Sequence, residues 1–303
     1  MKIAICICTF RRPQGLRNAL EHVARLSFDG DLTVVVADND AAAEGLAVCK
    51  ELAADYRWPI LSTAVSDSGI SYSRNAAATL ALTGNPDFIA FLDDDEWPEP
   101  AWLSELLRVQ QQQDADAVGG PTLSVFPENT PESAKQNQYF GADLGLSDGS
   151  ACQLEAAGNF LIKTNSLEQL GPEFFHPAFA QSGGEDLAFF LSLKKRKAKM
   201  HWAANAIMNE SVPADRLSIE WMKQRVIVIA NSRVRVTRML QPGLLSALER
   251  VAKTCALFVQ AILISAFGLF SKPLADKGQQ LRWKFWGKFT AHLNINISRA
   301  EGR

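Results

Sequence analysis

Apolar residues run almost unbroken from Lys2 to Thr9, and again over Asp31–Ala37 and Asp87–Leu92. A strand buried on both faces reads this way, because neither face meets water. Between these runs the pattern predicts helices over Gln14–Leu26, Ala43–Tyr56 and Ser71–Leu82, and a short strand near Pro59–Ala64. Strands alternating with helices predict an α/β fold, a mostly parallel sheet flanked by helices. Beyond Pro98 the pattern loosens. It predicts a helix over Trp102–Gln113, a strand over Ala117–Val125, a long mobile loop over Phe126–Gly149, a strand over Ala157–Lys163 and a helix over Glu185–Lys199. From about Leu217 the chain turns helical and basic.

Sheets of this kind bind ligands at the carboxyl ends of their strands. Three such ends carry polar residues here: Thr9-Phe-Arg11, Asp38 and Asp93-Asp-Asp-Glu96. Adjacent carboxylates repel one another unless a cation neutralises them. A hard divalent ion takes one or two carboxylates together with phosphate oxygens, so the run at Asp93 reads as a metal site with Asp93 and Asp95 on one side. Its plain structural reading is an acidic turn capping the next helix. A Gly-Gly pair leads into Glu185-Asp186 at a helix start. The helix dipole favours negative charge there, and a carboxylate so held can take a proton from a hydroxyl. An ordinary acidic first turn would look the same. Gly69 precedes Arg74 and Asn75 early in a helix, where they could bond a sugar or hold a donor loop. His201-Trp202 and Asn209-Glu-Ser-Val-Pro213 with Arg216 read most simply as a strand and a capped helix, with His201 structural.

Composition narrows the field. The 303 residues are 47% apolar, enough for a sizeable core, and the formal net charge of −2 gives no electrostatic case for nucleic acid. Acidic residues concentrate in the first two thirds and basic ones in the last. Cys6, Cys8, Cys49, Cys152 and Cys255 form no CxxC pair, as expected of small core residues in a reducing compartment. The apolar run Ile3–Ile7 is too short for a signal peptide and its arginines follow it, so the soluble part is expected to face the cytoplasm.

Taken in order, Ile5-Cys-Ile-Cys-Thr-Phe-Arg-Arg12, Val36-Ala-Asp-Asn39, Gly69-Ile-Ser-Tyr-Ser-Arg-Asn75, Phe91-Leu-Asp-Asp-Asp-Glu96, Gly184-Glu-Asp186 and Asn209-Glu-Ser-Val-Pro213 with Arg216 resemble the family 2 glycosyltransferases, in particular bacterial members that build exopolysaccharides on lipid carriers. The resemblance implies the GT-A fold over 1–225, with 1–100 binding the nucleotide-sugar, a UDP-sugar favoured, and 101–225 receiving a saccharide acceptor on a lipid. It implies that Asp38 reads the base, that Thr9 and Arg11 line the nucleotide pocket, and that Asp93 and Asp94 lie near the donor. Asp95 would reach a Mg²⁺ or Mn²⁺ ion, and Asp186, with Glu185 beside it, would be the general base of an inverting transfer. The Gln-x-x-Arg-Trp motif of the processive branch is absent; Arg216 or Arg225 could supply a similar charge.

Thr254–Ser271 holds no charged residue and lies between basic segments that include Arg282-Trp-Lys-Phe-Trp-Gly-Lys-Phe289. A full span needs about 20 apolar residues. Basic residues interleaved with aromatics suit an anionic membrane surface. The expectation is a membrane-associating tail over 226–303, interfacial or re-entrant at the cytoplasmic face of a bacterial inner membrane; a span and a buried or dimer helix are the other arrangements. Against a nucleotidyltransferase stands the lack of glycines in Thr9-Phe-Arg-Arg-Pro13, and against a dehydrogenase the lack of GxGxxG after the first strand. A non-catalytic membrane-bound sugar-binding protein is the reading from another class.

Overall fold

The computed structural model describes residues 1–135 and 139–298. Its central sheet is built from β1 (Lys2–Thr9), β2 (Asp31–Asp38), β3 (Ile60–Ala64), β4 (Phe88–Asp93), β6 (Ala117–Gly119), β8 (Phe160–Lys163) and β9 (Met200–Trp202), in the order β3-β2-β1-β4-β8-β6-β9. All run parallel except β8, which is antiparallel to β4 and to β6. The expected mostly parallel sheet is present.

β1 shows how the sequence makes its two layers. Ile3, Ile5 and Ile7 enter one core with α1 (Pro13–Val23) and α4 (Trp102–Gln113). Ala4, Cys6 and Cys8 enter the other, with α3 (Ile70–Leu82) and α7 (Glu185–Lys195). Strand side chains alternate by face, so a continuous apolar run serves both layers. The small Cys and Ala side chains leave room for Phe91, Phe160, Phe175, Phe189 and Phe190 on the second face.

A second sheet lies over the carboxyl end of β4. It has the order β5-β10-β7, from β5 (Glu96–Pro98), β7 (Thr122–Val125) and β10 (Met208–Ser211). The strand expected over Ala117–Val125 is therefore two strands in two sheets. Gly120 and Pro121 make the break, and a side chain at Gly120 would collide with the Ala206 carbonyl. Within the loop expected over 126–149, a short helix α5 (Glu132–Lys135) forms and Ala142 bonds back to Thr122, while residues 136–138 lie outside the described residues. The two remaining helices of this part are α2 (Glu44–Leu52) and α6 (Thr164–Glu168).

Three long helices close the chain: α8 (Ile219–Leu240), α9 (Leu244–Phe267) and α10 (Lys272–His292). α8 crosses position 225, where the sequence places the end of the catalytic unit. It packs on α7 through Val236 and on α10 through Asn231, whose amide donates to Thr290 Oγ1 at 3.1 Å. Side chains at Gly278 and Gly287 would clash with α9 and α8, so these glycines let α10 pack closely against both. The segment Leu244–Phe270 is long and apolar enough to cross a membrane, by length and composition. Leu245, Ile262, Leu263, Phe267 and Phe270 on it are exposed.

Candidate active site

The site forms where β1, β2 and β4 end. β4 stops at Asp93 and Asp94-Asp95 make a turn, so strand alternation no longer applies and Asp93 and Asp95 take different partners. Asp94 turns inward and is 6% exposed. It accepts from Thr9 Oγ1 at 2.9 Å, the Phe10 N–H at 3.2 Å and Arg12 Nη1 at 3.0 Å. Burial pushes its carboxyl up to about 6, against the pull of Arg12. Asp95 Oδ2 accepts from Arg12 at 2.9 Å and from Arg216 at 3.0 Å, and Arg216 also bonds Glu210 at 3.2 Å. Glu96 folds back to accept from the Asp93 N–H at 2.9 Å. Burial, then Asp93 and Glu210, raise it well above the usual carboxylate range.

Arg74 joins this turn to the start of α7. It is 3% exposed, and it bonds both oxygens of Asp93 at 3.0 and 3.3 Å, Glu185 at 3.3 Å, and Asp186. Burial alone would lower its guanidinium; Asp186, Asp93 and Glu185 outweigh that and raise it. Gly183 and Gly184, with φ of 74° and 101°, turn the chain into α7 in a conformation that favours glycine. The Glu185 side chain is 1% exposed and that of Asp186 22%. Asp186 lines a cavity of about 330 Å³ together with Tyr139, Arg225, Ser232 and Arg233.

Asp93, Asp94, Asp95, Glu96, Glu185, Asp186 and Glu210 share this region with Arg12, Arg74, Arg216 and Arg225, so carboxylates outnumber guanidiniums. That imbalance fits a divalent cation. Among the described residues no group of three or more His, Cys, Asp or Glu could hold a metal. A magnesium or manganese ion that shares a phosphate-bearing substrate would need one or two of these carboxylates.

The model of the family described as glycosyl transferase family 2 matches residues 4–171. Succinoglycan biosynthesis protein ExoM of Rhizobium meliloti (strain 1021) is 31% identical over 232 residues, which cover 74% of this chain and 72% of ExoM. The chain belongs to glycosyl transferase family 2. A second relative of this glycosyltransferase, the glucosyl-dolichyl phosphate glucuronosyltransferase of Haloferax volcanii, is 28% identical over 190 residues, 61% of this chain and 56% of its own. Among solved structures, the mannosyltransferase PcManGT from Pyrobaculum calidifontis in complex with GDP-Man and Mn²⁺ aligns over 97% of this chain and 87% of its own, at 14% identity and a TM-score of 0.66. S. aureus TarS 1-349 in complex with UDP-GlcNAc aligns over 97% and 92%, at 12% identity and a TM-score of 0.53. These likenesses show the GT-A fold that the sequence motifs imply.

In the glycosyltransferase the bonds of the site make two groups that meet at the strand-end turn: Thr9, Arg12, Asp94, Asp95 and Arg216 in one, and Asp93, Arg74, Glu185 and Asp186 in the other. Asp38 lies beside the first, 1% exposed, accepting from the Asp40 N–H at 2.9 Å and the Leu46 N–H at 3.2 Å. Arg11 is mostly exposed, 3.5 Å from Asp40, with φ of 56°. Asn75 points away from the carboxylates: its amide donates to the Phe175 carbonyl and accepts from the Phe175 N–H, both at 2.8 Å, which fixes the backbone ahead of α7. His201 bonds the Gly149 carbonyl at 2.9 Å, the structural role expected. Sequence reasoning gave no role to Arg12, Glu210 or Asn39. Asn39 bonds the Val65 and Asp67 carbonyls and the Gly69 N–H at 2.8–2.9 Å, holding the loop before α3. The signal for Arg12 was its place in the first strand-end motif; Glu210 gains its place through the pairing of β10 with β5.

Proposed function

We propose that the protein is an inverting, metal-dependent glycosyltransferase that moves a sugar from a nucleoside-diphosphate sugar to a hydroxyl of a lipid-linked saccharide. The observation that carries this reading is Arg74, which ties Asp93 on the strand-end turn to Asp186 on the wall of the cavity. Donor phosphates at the turn and an acceptor in the cavity would then meet across one fixed guanidinium. Residues 1–100 would take the nucleotide, with Asp38, Thr9 and Arg11 on its side, and 101–225 the acceptor. A UDP-sugar remains the favoured donor; the TarS neighbour is in complex with UDP-GlcNAc and the mannosyltransferase with GDP-Man.

Asp186 would take the proton of the acceptor hydroxyl. The oxygen then attacks the anomeric carbon from the face opposite the nucleoside diphosphate, which leaves with the bonding electron pair. One displacement inverts the configuration. Arg12 and Arg216, both bonded to Asp95, would offset the charge that the departing diphosphate gathers. Asp95, with Asp93 beside it, would hold Mg²⁺ or Mn²⁺, which when bound offsets charge on the diphosphate. The names of the relatives, succinoglycan biosynthesis and glucosyl-dolichyl phosphate, support a role in exopolysaccharide or cell-surface glycan assembly on a lipid carrier. The exposed apolar helix α9 supports attachment of the tail 226–303 to a membrane, with the cytoplasmic face the expected side.

The test is nucleotide release from UDP- and GDP-sugars with Mg²⁺ or Mn²⁺, with and without a chelator. Release should require the metal and be abolished in Asp95→Ala with the fold intact by circular dichroism. Metal-independent release, or full activity in that variant, would overturn the metal assignment.

A further inference from the structure

Three helices bring cations together beside the cavity. Arg233 of α8 lines it. Lys284 of α10 sits 5.7 Å over the ring of Tyr139, another lining residue. Lys288, one turn further along α10, faces Arg233, Lys284 and Lys253 of α9; partial burial first, then these three charges, push its ammonium down. Arg233 is paired with Glu155, and Lys253 with Glu249 at 2.6 Å. Among the described residues no carboxylate comes within 4.0 Å of Lys284 or Lys288. Like charges held together beside a cavity cost stability that a bound anion would restore.

The same stretch of α10 continues into an apolar groove. Phe285 and Trp286 lie between the two lysines in sequence, and with Phe258 and Ile262 of α9 they line a hollow of about 480 Å³. Phe258 and Phe285 lie 4.7 Å apart, ring to ring. The cations thus stand beside the cavity that Asp186 lines, and Phe285, next in sequence to Lys284, belongs to the aromatic groove. A sugar, a phosphate and a hydrocarbon chain, joined in that order, would match cavity, cations and groove.

We propose that Lys284 and Lys288, with Arg233, bind the phosphate of the lipid-linked acceptor, and that the groove between α9 and α10 takes the start of its hydrocarbon chain. This rests on the glycosyltransferase reading above and assigns its acceptor as a lipid phosphate ester gripped at the tail, not a free saccharide. The phosphate fixes the sugar's reach, so its hydroxyl arrives at Asp186.

The full-length protein is to be floated with three vesicles: phosphatidylcholine alone, phosphatidylcholine with a long-chain polyprenyl phosphate, and phosphatidylcholine with phosphatidylglycerol at equal surface charge. The wild type should prefer the polyprenyl phosphate. Lys284→Gln/Lys288→Gln should lose about thirty-fold in affinity for those vesicles, the effect of two lysines that each face lipid phosphate. Its nucleotide release from donor alone should be unchanged. Lys272→Gln/Lys277→Gln, which removes equal charge at the exposed start of α10, should keep the preference. If the wild type shows no preference between the two anionic vesicles, the lipid-phosphate acceptor and this site both fall. If the wild type shows it and Lys284→Gln/Lys288→Gln retains it, or the control pair loses it equally, the site falls and the acceptor class stands.

Discussion

Glu185 is 1% exposed, whereas the Asp186 carboxylate is 22% exposed and lines the cavity, so the neighbours are set up for different work. Asp186→Asn should slow transfer by ~10²–10⁴-fold, the usual range for a general base, with donor binding by calorimetry little changed. Glu185→Gln should leave the transfer rate much closer to wild type. The reverse pattern would exchange their roles. Arg74 is the cation that Asp93, Glu185 and Asp186 share, and it lies almost wholly out of water. Removing one partner of a buried ion pair costs about 3–5 kcal/mol. Arg74→Met should lower stability by that order in urea unfolding, and a change under 1 kcal/mol would show that water reaches this network. These carboxylates stood out in the sequence because acidic runs at a strand end and a helix start are conspicuous. Arg12 did not, since it meets Asp94 and Asp95 once β1 has paired with β4, and Glu210 did not, since it reaches the site once β10 has paired with β5 across more than a hundred residues.

The elements follow the same division. β1, β2 and β4 were legible because burial on both faces writes a continuous apolar run. β5 and β9 span three residues each, too few for any period to show, and the turn at Gly120-Pro121 was hidden inside an apolar stretch. The apolar content of α9 was plain, but its packing against α10 depends on Gly278, and a glycine in a helical pattern announces no partner. His292 closes this bundle, bonding Thr254 Oγ1 at 3.1 Å. Burial, then Arg238, Arg250 and Lys288, lower its pKa from 6.5. A depressed histidine contributes stability that is present above the unfolded value and lost as pH falls through the folded one. The melting temperature of the wild type should therefore drop more steeply below pH 6.5 than that of His292→Gln. Parallel curves for the two would mean that His292 titrates alike in both states.

For the molecule as a whole, the tail helps to line the cavity that Asp186 lines, as well as being the proposed anchor. Cutting after Arg250 would strip α10 from α8 and uncover Asn231 and Gly287's packing surface, so deletion cannot separate attachment from folding. Point changes can. Phe267 is 62% and Phe270 89% exposed, so Phe267→Glu/Phe270→Glu should leave the melting temperature within a degree or two. Burying each ring in lipid is worth about 1.5–3 kcal/mol, so binding to phosphatidylcholine vesicles should weaken more than tenfold in flotation. Unaltered flotation would place α9 against protein instead. One further consequence comes from α8, which walls the cavity with Arg225, Ser232 and Arg233 and also carries α10 on its back. A chimera that exchanges everything after Ser218 for the tail of another family member would import that wall too. Such a graft should transplant the choice of acceptor along with the address in the cell.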